Sequence, residues 1–145
     1  MGYTNYWKQP TPFTDAEWSS VCKEFNIMKD IAGNRIKLQD VNPLKDGLIV
    51  FDGGKDGSCE TFVLHKLPKI KPDYEGQDLS FNFCKTRELP YDIYVWHMLT
   101  FCSMLKHNFV ATRDEWSYDG DVLGIGDGVD EGYHQDVDKD KVVNG

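Results

Sequence analysis

Between Cys84 and Asp92 the chain reads Cys-Lys-Thr-Arg-Glu-Leu-Pro-Tyr-Asp, and its chemistry-bearing side chains crowd together there. Lys85 and Arg87 supply two cations, Thr86 a hydroxyl, Tyr91 an aromatic face and Asp92 an acceptor. Pro90 fits the first position of a helix, where a missing N–H costs nothing and a fixed φ already suits the turn. Two cations beside the free N–H groups and positive dipole end of a helix make a place for an anion. The pattern predicts a phosphate site, with the sugar or base of a nucleotide against nearby rings. The alternative is that Lys85 and Arg87 merely pair with Glu88, Asp92 or the acidic C-terminal stretch.

Two further stretches contribute rings. Met1 to Lys8 is too aromatic for a frayed end, and Tyr3, Asn5 and Trp7 alternate with Thr4 and Tyr6 as in a strand. One row of that strand, Tyr3, Asn5 and Trp7, is placed to line a pocket with polar tips or to pack in the core. On the helix that follows Pro90, Trp96 falls on the polar side and needs a covering segment or ligand. The expected ligand-binding set is therefore Lys85, Thr86, Arg87, Tyr91, Asp92, Asn5, Tyr6, Trp7 and Trp96.

Catalytic patterns are weaker. His65, His97, His107 and His134 share no metal-ligand spacing, no GxSxG elbow occurs, and Cys22, Cys59, Cys84 and Cys102 form no CxxC pair. Four reduced, mostly buried cysteines, no metal, no cofactor and no catalytic residue are expected. A hydrolase acting through His97, Asp119 or Asp121 is the enzymatic alternative, although Ser117 to Asp121 is also an ordinary turn. The Gly-rich loop Asp52 to Glu60 has neither the Walker pattern nor the acid spacing of a calcium loop, and reads as a solvated hairpin loop with some flexibility.

Several elements must position these residues. Thr14-Asp-Ala-Glu17 is a capping box with Phe13 and Trp18 as its staple, and Trp18, Val21, Cys22, Phe25 and Met28 repeat at helical spacing up to a capping Gly33. A helix over 15–32 follows. A second helix is predicted from about Pro90 to Lys106. Its core arc holds Tyr94, Val95, Met98, Phe101, Cys102 and Leu105, and its polar stripe holds Asp92, Thr100, Ser103, Lys106 and His107. Short strands are expected at 36–38, 48–51, 61–64, 79–84 and 109–113, with a turn at Asn42-Pro43 and an irregular, basic connection over 66–72. Together these define an α+β domain, a mainly antiparallel sheet with two principal helices packed on one face. The domain is expected to span 1–123, with 124–145 a mobile acidic Gly/Asp-rich tail.

The formal charge of −8 is uneven: residues 119–145 carry eight acids and two lysines, and residues 1–118 sixteen acids and fourteen bases. A nearly neutral folded part excludes the concentrated basic face of a duplex nucleic-acid binder. No apolar run spans a membrane and no signal peptide is legible, so a cytoplasmic, soluble protein is expected, with homo-oligomers left open.

Three stretches, MGYTNYW, FNFCKTRELPYD and SYDGD, together carry a resemblance. The chain resembles a small family of bacteriophage and bacterial proteins that opens with MGYTxYW and carries FCKTxxxPYD. Many members have His where this chain has Asn5, and no activity is settled for the family. The resemblance implies a phage or prophage setting, in the host cytoplasm, in which small proteins without catalytic motifs counter host defence. The leading expectation is a non-enzymatic sponge for a phosphate-containing nucleotide signal. The alternatives are a phosphodiesterase acting on such a signal and an acidic inhibitor of a host enzyme.

Overall fold

The computed structural model describes residues 3–55, 57–68 and 80–114. Expectations for 69–79, for the Ser117 to Asp121 turn and for the 124–145 tail lie outside the described residues.

The capping box forms as its sequence dictates. Glu17 N–H donates to Thr14 Oγ1 (3.1 Å) and Thr14 N–H donates to Glu17 Oε1 (2.8 Å), which satisfies two donors that a first turn leaves open. Phe13 and Trp18 close over it with ring centroids 5.7 Å apart. Helix α1 then runs Asp15–Ala32 and ends at Gly33, whose φ of 58° costs an L side chain but not glycine. The predicted turn at Asn42-Pro43 is a one-turn helix, α2, Pro43–Asp46, capped by the Asn42 side chain. Helix α3 spans Asp92–Leu105.

Among the described residues six strands form two antiparallel three-stranded sheets rather than one. Strand β1 (Thr4–Lys8) lies between β5 (Phe81–Lys85) and β6 (Val110–Arg113). Strand β3 (Leu48–Asp52) lies between β2 (Lys37–Leu38) and β4 (Phe62–His65), the last two strands of that sheet forming the expected hairpin. A single core joins both sheets and both long helices. Phe25 of α1 stacks on Phe51 of β3 at 6.0 Å, Phe51 meets Phe62 at 5.2 Å, and Phe62 meets Trp7 of β1 at 5.4 Å. The fold is thus a small α+β domain.

Helix α3 departs from the predicted amphipathic pattern. Much of its polar stripe is buried: Asp92, Thr100 and Ser103 are inside, together with Trp96, while Lys106 is half-buried and His107 exposed. The hydroxyls can be buried because each bonds back onto the helix, Thr100 Oγ1 to the His97 carbonyl (3.0 Å) and Ser103 Oγ to the Thr100 carbonyl (2.8 Å). The helix lies between α1 on one side and β1 and β6 on the other, so most of its circumference is covered. Ile93 and Met104 are left exposed instead.

Candidate functional site

Two of the expected residues, Asn5 and Thr86, converge on the carboxylate of a third, Asp92, and are joined there by Arg113. Asp92, at the first turn of α3, accepts from Asn5 Nδ2 (2.7 Å) and from the Thr86 hydroxyl at one oxygen, and from Arg113 Nη2 at the other. Arg113 reaches it from β6, where it pairs in register with Asn5. Its guanidinium lies 5.1 Å from the Tyr3 ring centroid and 4.8 Å from that of Trp96. The predicted covering for Trp96 is therefore supplied by the protein itself, through a cation resting on the indole face.

This geometry changes the anion argument. An acid at a helix N-terminus is favourable, and here that place is taken by Asp92. Its counter-ion is Arg113, not Lys85 or Arg87. Asn5, Thr86, Asp92 and Trp96 form a buried polar cluster, with Asn5, Thr86 and Trp96 fully inaccessible. Asn5 Oδ1, Trp96 Nε1 and Arg113 Nε are left without a protein partner within it.

Tyr91 is also fully buried. Its hydroxyl donates to the Glu60 carbonyl (2.5 Å) and accepts from Cys59 N–H (3.2 Å), which pins the β3–β4 loop to the start of α3. Burial pushes its pKa well above the ordinary tyrosine range. The loop expected to hang in solvent is thus anchored at its far end. Glu60 reinforces the anchor: its N–H donates to the Lys85 carbonyl (2.9 Å) and its carboxylate accepts from Lys85 N–H (2.7 Å). Gly53 lies so close to this arrangement that a Cβ would stand 1.8 Å from the Gly57 carbonyl oxygen. Trp7 is in the core against Phe62 rather than at a pocket wall.

Lys85, Arg87 and Tyr6 fall elsewhere. Lys85 and Arg87 are exposed, and neither forms an ion pair among the described residues. Arg87 and Glu88 occupy the two central positions of a turn closed by Leu89 N–H on the Thr86 carbonyl (3.1 Å), with φ of 57° and 56°. Two successive non-glycine residues in the left-handed region are costly, and such strain gathers at functional sites. The Tyr3 carbonyl fixes the turn by accepting from both Thr86 N–H (2.9 Å) and Arg87 N–H (3.2 Å).

The strand pairing places Tyr6 on the outer face of the first sheet. Opposite Thr4, Tyr6 and Lys8 on β1 stand Lys85, Phe83 and Phe81 on β5. On the other side, Tyr6 and Lys8 face Thr112 and Val110 of β6. Phe81 and Phe83 are 44% and 52% exposed. Their centroids are 6.4 Å apart, and Tyr6 stacks on Phe81 at 5.9 Å and 27°. Phe81 and Phe83 were not among the expected ligand residues. Their signal was the alternation Phe-Asn-Phe-Cys, which says that one side of the strand is apolar but not that this side faces outward.

Of the remaining candidates only His97 lies among the described residues, and it is held by a carboxylate of α1. His97 Nε2 lies 2.7 Å from Glu24 Oε2 across the α1–α3 contact, and Asp119 and Asp121 lie outside the described residues. Among the described residues no cluster of three or more His, Cys, Asp or Glu could hold a metal. A groove of about 500 Å³ beside α1, lined by Ser19, Cys22, Lys23, Asn26, Val41 and Leu44 among others, contains none of the expected residues. Among the described residues no helix is long and apolar enough to cross a membrane. The chain matches no protein-family profile, and no curated protein or solved structure is significantly similar to it.

Proposed function

We propose that this protein captures a phosphate-containing nucleotide without cleaving it, and that it does so on the outer face of the β5–β1–β6 sheet. The observation that carries this reading is the pair of exposed rings, Phe81 and Phe83, on the same outward row as Tyr6, Lys8 and Lys85. Aromatic faces on an antiparallel sheet offer stacking platforms to bases, and cations at their edge offer partners to phosphate. Arg87 stands two residues beyond Lys85, on the strained turn, and adds a planar donor fork suited to phosphate oxygens. Of the residues expected to hold the ligand, Lys85, Arg87 and Tyr6 belong to this surface. Thr86, Asp92, Asn5 and Trp96 serve as the buried support beneath the turn, and Trp7 and Tyr91 as core and loop anchors.

The phage setting implied by the sequence resemblance gives the capture a purpose, namely sequestering a host immune signal in the host cytoplasm. Calorimetric titration with adenine and guanine nucleotides tests the reading. Arg87→Ala is expected to weaken binding about tenfold to over a hundredfold, and Arg87→Lys to recover part of it. Heat-denaturing the loaded protein and weighing the released ligand by mass spectrometry separates capture from conversion: capture returns the ligand intact. Unchanged affinity in Arg87→Ala, or a hydrolysed product, would overturn the assignment.

A further inference from the structure

Independently of the nucleotide reading, we propose that the outer face of the α1–α3 layer docks a second copy of this chain, about a two-fold axis running along the seam between the two helices.

Helix α3, all of whose residues are described, leaves only Ile93 and Met104 exposed. A helix at the surface of a monomer turns charged side chains to water, and one that is apolar all round is normally covered. At about 100° per residue His97 shares the exposed side of α3, and Ile27 and Ile31 share one side of α1. The four apolar residues are each more than half exposed. Two ion pairs hold the helices antiparallel: Glu17 to Lys106 at 3.1 Å and, about two turns further along α1, Glu24 to His97 at 2.7 Å. Continuing that register brings Ile31 level with the start of α3, where Ile93 stands. Four large apolar side chains thus project from one two-helix face, around an acid and a base at its seam.

Charge selects the occupant. Around the face Glu17, Glu24 and Asp30 stand against Lys23, Arg35 and Lys106, so neither sign is in excess among the described residues there. Such a face favours neither a basic partner nor an acidic one such as the stretch 119–145, with its eight acids and two lysines. What does complement it is the same face turned over. A two-fold axis along the seam lays each α1 over the partner's α3 at the same height, as in an isologous four-helix packing. Ile31 then meets the partner's Ile93, and Glu24 meets the partner's His97. Helix α1 has 18 residues, about 27 Å at ~1.5 Å per residue, and two helices side by side are about 20 Å wide. The plan area is roughly 500 Å², and its ridges bring the accessible area near the ~600 Å² per partner at which specific interfaces begin. A small interface of this kind associates at about micromolar concentration or above.

Sedimentation velocity of the full chain, from about 1 μM to several hundred micromolar, tests the proposal. The wild-type chain is expected to shift from one chain mass toward two. Ile31→Lys and Ile93→Glu should each weaken that association by at least about tenfold, because each buries a charge against an isoleucine. Mixing the two variants should restore it, since the lysine of one copy meets the glutamate of the other while the remaining isoleucines still pair. Both positions are exposed, so at dilutions where the wild type is monomeric neither change should move the melting temperature by more than about a degree or two. A wild-type chain that stays monomeric throughout, an assembly that survives both changes, or a mixture that remains as dissociated as its components would overturn the proposal.

Discussion

Asp92 is the residue on which most of the buried polar chemistry depends, because three donors from three different segments end on its carboxylate. Removing one member of a buried ion pair leaves the other charged and unpaired, which costs about 3–5 kcal/mol. Asp92→Asn is therefore expected to destabilise the fold by about that much in a urea titration, while Arg87→Ala leaves the unliganded midpoint nearly unchanged. Glu88 gives the opposite case. Its left-handed φ strains any L side chain by about 1–2 kcal/mol, against roughly 0.5–1 kcal/mol of extra chain entropy lost by glycine. Glu88→Gly should raise stability by roughly 0.5–1 kcal/mol and, by deleting an acid beside Arg87, should not weaken nucleotide binding. Neither feature could be read from composition. The Asp92 partner stands 21 residues away and is delivered by sheet register, and an Arg-Glu pair carries none of the Asn or Gly signal that usually marks a left-handed turn.

Helix α1 shows what a local signal can carry. Its capping box, staple and terminal glycine lie within the helix or next to it, so its limits could be read from the chain. Thr14→Ala should lower stability by about 1 kcal/mol through the lost cap, measurable as a drop in melting temperature. Acid sensitivity belongs to the same turn. The Thr14 backbone N–H and the Lys106 ammonium, whose Nζ is 3.1 Å away, hold the Glu17 carboxyl below its ordinary value of 4.5. A depressed folded-state pKa contributes stability that is present above the unfolded value and is lost as pH falls through the folded one. Stability should accordingly decline on acidification below about pH 4.5, and Glu17→Gln should flatten that decline while being less stable at neutral pH. Helix α3 was legible in its extent and in its core arc, where Tyr94, Val95, Met98 and Cys102 are buried and Phe101 and Leu105 pack against the core, but not in its opposite face. Periodicity assigned Thr100 and Ser103 to water, and only their bonds to the helix carbonyls explain how they came to be buried.

At the scale of the molecule, the α+β class followed from separate helical and strand periodicities, and the β3–β4 pairing from two strand-like runs on either side of one glycine-rich loop. The division into two sheets did not, because partner choice among β1, β5 and β6 joins residues far apart in sequence. That choice also decides which side of Phe81 and Phe83 meets solvent, and so where the candidate ligand surface lies. Gly53 shows how tightly the β3–β4 loop is folded on itself and against the Tyr91 ring, whose Cδ1 would stand 2.8 Å from an added Cβ. Backbone carbonyl cannot retreat as a side-chain tip can, so Gly53→Ala should displace the loop and lower the melting temperature, with the β3–β4 amides showing the largest shifts in an NMR spectrum.

The distribution of thiols offers a practical handle. Cys22, Cys84 and Cys102 are buried and only Cys59 is exposed. Burial raises all three buried thiols, that of Cys84 to about 12, which further suppresses the reactive thiolate. A maleimide fluorophore should therefore add once to the native chain and four times after unfolding, matching the four cysteines of the sequence. The single adduct would stand beside Glu60, whose carboxylate is bonded to the Lys85 backbone. Wild-type protein labelled in this way becomes an optical sensor mounted at the edge of the aromatic sheet face, with no cysteine engineered in or out.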